Sequence, residues 1–213
     1  HWYILLHMTD KYTQKQSTNH LLMIKPLEFY ANEQTSHSNH YQSNDFSLNQ
    51  RDEILEKAII EFESFKKAIE KKGIKISSYD GSTGCPDHIF PNWFITFEDK
   101  TMQLFSMLAI NRRAEKKPHI INDLRKTYKL TDDLSNFEEK GLFLESTSSM
   151  VFDRVNNVVY AGISERTSKE LLEKWCHDNN FKLVQFETIS HTGEPIYHTD
   201  VFMYIGSSLI GIC

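Results

Sequence analysis

A weak internal repeat constrains this 213-residue chain more than any single element does. NWFITFEDKTMQLFSML has the alternation of two strands turning at Asp99 and Lys100, and it leads into Asn111, Arg112 and Arg113 and a charged, helix-compatible stretch. SMVFDRVNNVVYAGIS repeats the pattern, turning at Asn156 and Asn157, residue types that tolerate the positive φ of a tight hairpin. It leads into Arg166 and Thr167 and a helix running to about Asp178, for which Thr167 and Glu170 offer a T-x-x-E capping box. A third hairpin opens at Ile196 with IYHTDVFMYIG and returns through SSLIGIC. Two strands, a helix and a strand recurring every ~50 to 60 residues predict an α/β chain of radial or stacked modules rather than a doubly wound sheet. The plainer reading is a mixed α/β domain with several hairpins.

Upstream, HLLMIKP predicts a strand over residues 20–26, and Ile54, Leu55, Ala58, Ile59, Phe62, Phe65 and Ile69 recur at helical spacing, predicting a helix from about Arg51 to Lys72. Gly73 closes that helix and IKISSY alternates as a strand. Residues 31–50 are polar and predict a long loop. Residues 1–19 are expected to be a disordered or alien tail, because Met8 is the first residue that could initiate translation and HWYILLH precedes it. Residues 20–213 then form one partial domain.

Composition narrows the function. A formal charge of -5, with lysines spread among glutamates, leaves no basic patch for a phosphate backbone, so no nucleic acid is expected. The most apolar segment, Val201 to Cys213, is interrupted by Gly206, Ser207, Ser208 and Gly211, and no membrane span is expected. Without a signal-peptide pattern at its start the chain is expected in the cytoplasm. Cys85, Cys176 and Cys213, widely spaced, read as free thiols. Oligomeric state is left open.

A polar cluster stands before each hairpin: Asp87 with Asn92, then Glu145, then His198 with Asp200. These positions recur at the period of the repeat, and equivalent positions converge on a pseudo-symmetry axis. Two carboxylates and an imidazole at one point suit cation recognition and general acid/base work. Taken singly, Asp87 could be a turn residue, Glu145 a solvated strand end and His198 a satisfied half-buried histidine.

MIKPLEFYANEQT, PDHIFPNWF, the Asn111-Arg112-Arg113 triplet, FLESTSSMVFDR, SERT and IYHTDV stand in an order and spacing that resembles the amidinotransferase, arginine deiminase and dimethylargininase superfamily, closest to its citrulline-utilisation hydrolases. The resemblance runs from about Met23 to Cys213. It implies a pseudo-symmetric five-bladed α/β propeller, here incomplete with three to four modules. By the same resemblance Glu145 is the catalytic carboxylate and His198 the general acid/base. Asp87 and the residue at or beside Asn92 face a guanidinium group, Arg166 holds a substrate carboxylate, and Asp200 grips the guanidinium. A structural salt bridge is the other reading of Arg166. The implied partner is a small guanidino or ureido molecule, with no metal or organic cofactor.

Three departures from the family pattern stand out. Only Asn92 precedes Trp93 where a pair of asparagines is usual, Ser146 and Ser148 replace glycines, and no cysteine here has the surroundings of the family's nucleophile, which is expected beyond Cys213. A serine at a glycine position with positive φ would strain the turn. The resemblance therefore implies a hydrolase of guanidino or ureido C–N bonds working through Cys, His and Glu. An amidinotransferase or a non-catalytic propeller, binding or decayed, are the alternatives.

Overall fold

The computed structural model describes residues 3–6 by their backbone and residues 16–42, 50–191 and 193–213 in full, so most of the expected tail and the end of the polar loop lie outside the described residues. In chain order the strands are β1 (Tyr3–Leu6), β2 (His20–Lys25), β3 (Lys75–Asp80), β4 (Phe94–Thr96), β5 (Thr101–Leu104) and β6 (Lys129–Asp133). They continue with β7 (Val151–Asp153), β8 (Val158–Gly162), β9 (Lys182–Phe186), β10 (Met203–Ile205) and β11 (Leu209–Ile212). The helices are α1 (Arg51–Glu70), α2 (Ile110–Arg113), α3 (Pro118–Leu124), α4 (Ser146–Ser149) and α5 (Lys169–Asp178). The architecture is α/β. The chain forms two compact units: Phe94–Leu108 with Leu130–Cys213 and the first residues, and Thr18–Trp93 with Ala109–Lys129.

In the first unit the repeat is visible as topology. β4 and β5 pair antiparallel from Phe94↔Leu104 to Thr96↔Met102, and β6 lies on the other side of β5. β7 and β8 pair antiparallel, and after α5 the strand β9 returns parallel to β8, from Val158↔Lys182 to Gly162↔Phe186. Both hairpins turn where predicted, with Lys100 at φ 64 and Asn157 at φ 53. The left-handed conformation is accessible to Asn because its short amide can bond locally. The third hairpin, β10 with β11, carries β1 on its outer edge, Tyr3↔Ile212 to Leu6↔Leu209, so the segment expected to belong to a loose or alien tail contains a paired strand.

Its core is aromatic. Trp175 on α5 is 2% exposed and packs against Phe105, Phe152 and Phe181, with Leu144, Met150, Val159, Leu171 and Leu172 around it. The indole N–H finds the Gln103 side-chain oxygen at 2.7 Å, as a buried donor must.

Two sequence expectations fail here for physical reasons. Thr167 does not cap α5: its hydroxyl is buried and donates to Ser149 Oγ at 2.8 Å, the N-cap is Ser168, and Ser168 Oγ instead accepts from the Phe143 N–H. The third hairpin starts at Met203 rather than Ile196, because residues Thr199–Val201 wind into a 3-10 turn that re-aims His198.

In the second unit β2 and β3 run parallel, His20↔Lys75 to Lys25↔Asp80, joined by α1, the long crossover that parallel pairing needs. α1 turns Leu55, Ala58, Ile59, Phe62 and Ile69 inward to partial burial. Ile54 and Phe65, counted on that face in the sequence, sit about one 100° step off it and are 40% and 61% exposed. Beyond α1 the unit buries Ile24, Trp93, Ile120 and Leu124.

His88 fastens the ends of β2 and β3. Its Nε2 accepts from the Leu27 N–H at 3.2 Å, and its Nδ1 lies 3.3 Å from the Ser82 carbonyl. Gly81 leaves room for the ring: a Cβ there would stand 2.1 Å from it.

Candidate active site

Glu145 sits where Leu144, fully buried in the aromatic core, hands the chain to the single turn of α4. The residue is 1% exposed and its carboxylate is held from two sides: the Leu108 N–H donates to Oε1 at 3.0 Å, and His198 Nε2 lies 2.7 Å from Oε2. Arg166 adds a guanidinium nitrogen 3.8 Å from the same Oε2, and its guanidinium also lies over the Tyr197 ring, 4.6 Å from the centroid. Arg166 and His198 are 3% and 4% exposed. A carboxylate so buried requires cationic or N–H partners, and it has them. His198 Nδ1 makes no hydrogen bond among the described residues, so the second ring nitrogen is left for another partner.

A set of small hydroxyls fixes this geometry. Ser149 Oγ accepts from the Glu145 N–H at 3.0 Å and from Thr167 Oγ1, and donates to the Arg166 carbonyl at 3.0 Å. Thr199 Oγ1 donates to the Ser149 carbonyl and accepts from the Gly162 N–H at 2.9 Å, which ties the residue after His198 to both α4 and β8. Sequence reasoning missed Ser149, Thr167 and Thr199. Their only signal was the density of hydroxyls in STSS, SERT and HTD, which also suits a turn.

Ser148, at one glycine position of the family pattern, donates to Asp200 Oδ2 at 2.8 Å. Asp200 is accessible yet crowded; desolvation by its surroundings raises its carboxyl pKa, against the pull of His198 and the Ser148 bond. Ser146, at the other, adopts φ 45, a conformation that costs an L-residue roughly 1 kcal/mol, and its hydroxyl donates to the Phe94 carbonyl at 2.8 Å.

Of the six residues singled out in the sequence, Glu145, His198, Arg166 and Asp200 thus belong to the first unit, and the first three form one buried cluster. Asp87 and Asn92 belong to the second unit. There Asp87 Oδ2 accepts from Asn32 Nδ2 at 2.7 Å, and the half-buried Asn92 donates its N–H to the Phe90 carbonyl at 2.7 Å. Cys85 and Cys176 are buried and burial raises both thiols, Cys176 to about 12, whereas Cys213 is exposed. Among the described residues no group of three or more His, Cys, Asp and Glu side chains could hold a metal ion, and no helix is long and apolar enough to cross a membrane.

Hairpin-and-helix modules around a buried carboxylate, imidazole and guanidinium define the class of α/β protein to which the chain is to be compared. Residues 25–213 match the family described as N,N dimethylarginine dimethylhydrolase, eukaryotic, and the chain belongs to that family, within the superfamily its motifs resemble. Solved structures share the fold. The N-terminal domain of ArgZ bound to substrate, an arginine dihydrolase from the ornithine-ammonia cycle in cyanobacteria, aligns with a TM-score of 0.63 at 17% identity over 86% of this chain and 62% of that one. A dimethylarginine dimethylaminohydrolase adduct with 4-chloro-2-hydroxymethylpyridine aligns with a TM-score of 0.58 at 14% identity, over 87% of this chain and 64% of that one. Unliganded AgrE aligns with a TM-score of 0.60 at 18% identity over 86% of this chain and 25% of that one. The chain thus spans less than two thirds of the length of these structures. No curated protein matches it.

Proposed function

We propose that this chain is part of a hydrolase acting on the guanidino or ureido C–N bonds of arginine- or citrulline-like small molecules, built as a five-bladed α/β propeller of which these residues supply three to four modules. The observation that carries the reading is the buried pair of His198 and Glu145, 2.7 Å apart, with His198 Nδ1 unengaged among the described residues. Such a pair keeps an imidazole oriented while its second nitrogen exchanges a proton.

In the proposed reaction a cysteine thiolate from outside these residues bonds to the central carbon. His198 gives its proton to the departing amine as the C–N bond breaks. A water then loses a proton to His198, bonds to the carbon and releases the thiolate. Glu145 balances the imidazolium charge, and Asp87, Asn92 and Asp200 are the groups proposed to meet the planar cation, which is bound best by carboxylate oxygens. For Arg166, burial and its place beside Glu145 and Tyr197 support the structural ion pair over a grip on a substrate carboxylate. A nucleophile from elsewhere is supported by the two buried thiols, whose raised pKa leaves little thiolate. The relatives' chemistry points the same way: the ArgZ N-terminal domain has been captured covalently bonded to a reaction intermediate.

The test is an assay of ammonia and citrulline release from arginine, dimethylarginine and agmatine, and of ammonia and ornithine release from citrulline. These 213 residues alone are expected to be inactive. A longer form carrying the nucleophile is expected to turn over one of these compounds and to lose on the order of a hundredfold or more with His198→Ala. Turnover by the 213-residue chain that vanishes in Cys85→Ser would reject the assignment of the nucleophile, and a longer form indifferent to His198→Ala would reject the mechanism.

A further inference from the structure

We propose that Asn32 and Asn111 form a positioning pair that fixes the Asp87 carboxylate through Oδ2 and leaves Oδ1 for a ligand. The inference rests on the reading of Asp87 as a substrate-facing group and goes beyond it, since neither asparagine is part of the chemistry proposed above.

The argument starts from the valence of an amide. Asn32 is 2% exposed, and a buried side-chain amide has two N–H donors and two acceptor sites to satisfy. All four are used. Nδ2 donates to Asp87 Oδ2 at 2.7 Å and to Asn111 Oδ1 at 3.3 Å. Oδ1 accepts from Asn111 Nδ2 at 2.8 Å and from the Gln34 N–H at 3.1 Å. The two asparagines therefore exchange a reciprocal pair of hydrogen bonds, and the amide cannot flip: the Gln34 N–H needs an acceptor and the Asp87 carboxylate needs a donor. Asn111 is fixed in turn, because its own N–H donates to Gln34 Oε1 at 2.9 Å, and the Asn32 carbonyl accepts from Gln42 Nε2 at 2.8 Å.

The consequence falls on Asp87. Its Oδ2 takes the Asn32 donor at 2.7 Å, with the Thr35 hydroxyl, which is nearer the Asn32 carbonyl and Gln42 Oε1, standing 3.4 Å away, while Oδ1 accepts no hydrogen bond among the described residues. A free carboxylate can meet a guanidinium with two parallel bonds. Asp87, held through Oδ2 by the Asn32 amide, offers a ligand its other oxygen, Oδ1, in a fixed direction. Asn32 and Asn111 come from the YANEQT segment and the NRR triplet, two stretches distinctive in the sequence that the buried Glu145 and His198 cluster does not use.

A double-mutant cycle read by calorimetric titration with L-arginine tests this. Asn32→Ala is expected to weaken binding about tenfold in the parent chain and less than about twofold in an Asp87→Ala background, because a residue acting through Asp87 has nothing left to position. Asn111→Ala, at a half-buried site, is the milder probe should Asn32→Ala fail to fold; it is expected to cost about threefold, again only while Asp87 is present. Equal losses in both backgrounds would overturn the positioning role and leave the functional reading standing. A parent chain that binds none of arginine, dimethylarginine, agmatine and citrulline would overturn the functional reading, and this inference with it.

Discussion

In the first unit Glu145 follows Leu144, which packs in the apolar cluster around Trp175, and His198 is brought to within 2.7 Å of its carboxylate. In the second unit Asp87 follows Cys85 and Pro86 on a loop, and what holds it is polar: Asn32, backed by Asn111, with Thr35 close by. One unit seats its carboxylate on an apolar core and trims it with hydroxyls, the other holds it by hydrogen-bond valence. The two respond to different insults, since a hydrophobic core fails by losing volume whereas a polar staple fails by losing or gaining one proton, or by one atom out of place.

The largest effect is expected from Trp175→Ala. It removes the central ring of the first unit and leaves Gln103 Oε1 without its indole donor, and should cost about 3 to 5 kcal/mol in chemical denaturation. Hydrogen exchange should show protection lost in β7, β8 and β9. A cost below about 1 kcal/mol would mean that the packed ring does not set this unit's stability.

Gly81→Ala applies the opposite insult to the second unit, placing a methyl 2.1 Å from the His88 ring. Overpacking of this kind should cost about 1 to 3 kcal/mol, with faster exchange of the Leu27 amide. A neutral result would show that the ring moves aside freely and is no staple.

The gentlest probe is acid. Burial lowers the His88 pKa below that of an ordinary imidazole, against the smaller opposing pull of the Ser82 carbonyl, Glu28 and Asp87. The unfolded chain therefore binds the proton more readily. The stability His88 contributes is complete above the ordinary imidazole pKa and is lost as the pH falls through the lower folded value. The Leu27 amide should lose protection over that window, and His88→Gln should flatten this part of the pH profile. An unchanged profile in the variant would remove His88 from the account.

Much of the first unit was legible because its signals are local. Asp99-Lys100 and Asn156-Asn157 fix hairpin turns within a few residues, and α5 ends at Asp178 as its periodicity says. The T-x-x-E pattern misled because α5 begins one residue later, with Ser168 as its N-cap, while Thr167 is buried against a long-range partner, Ser149. His198 was singled out by its period, but the 3-10 turn that aims it was hidden in a sequence that alternates like a strand. In the second unit the polar stretch from residue 31 reads as loop by composition. Asn32, Thr35 and Ser38 are nonetheless buried in it, held by bonds to residues far along the chain or by turns of their own, which no window of sequence displays.

The serine-rich turn after Glu145 has a bearing on reactivity. Ser146, Ser148 and Ser149 each give their hydroxyl proton to a named acceptor, the Phe94 carbonyl, the Asp200 carboxylate and the Arg166 carbonyl, and all three are buried. Ser149 also accepts from two donors, so neither of its lone pairs is spare. A stretch that looks like an inviting target for acylating reagents or phosphate-transferring enzymes is therefore chemically silent while folded, and only Thr147, which faces solvent, presents a hydroxyl to them.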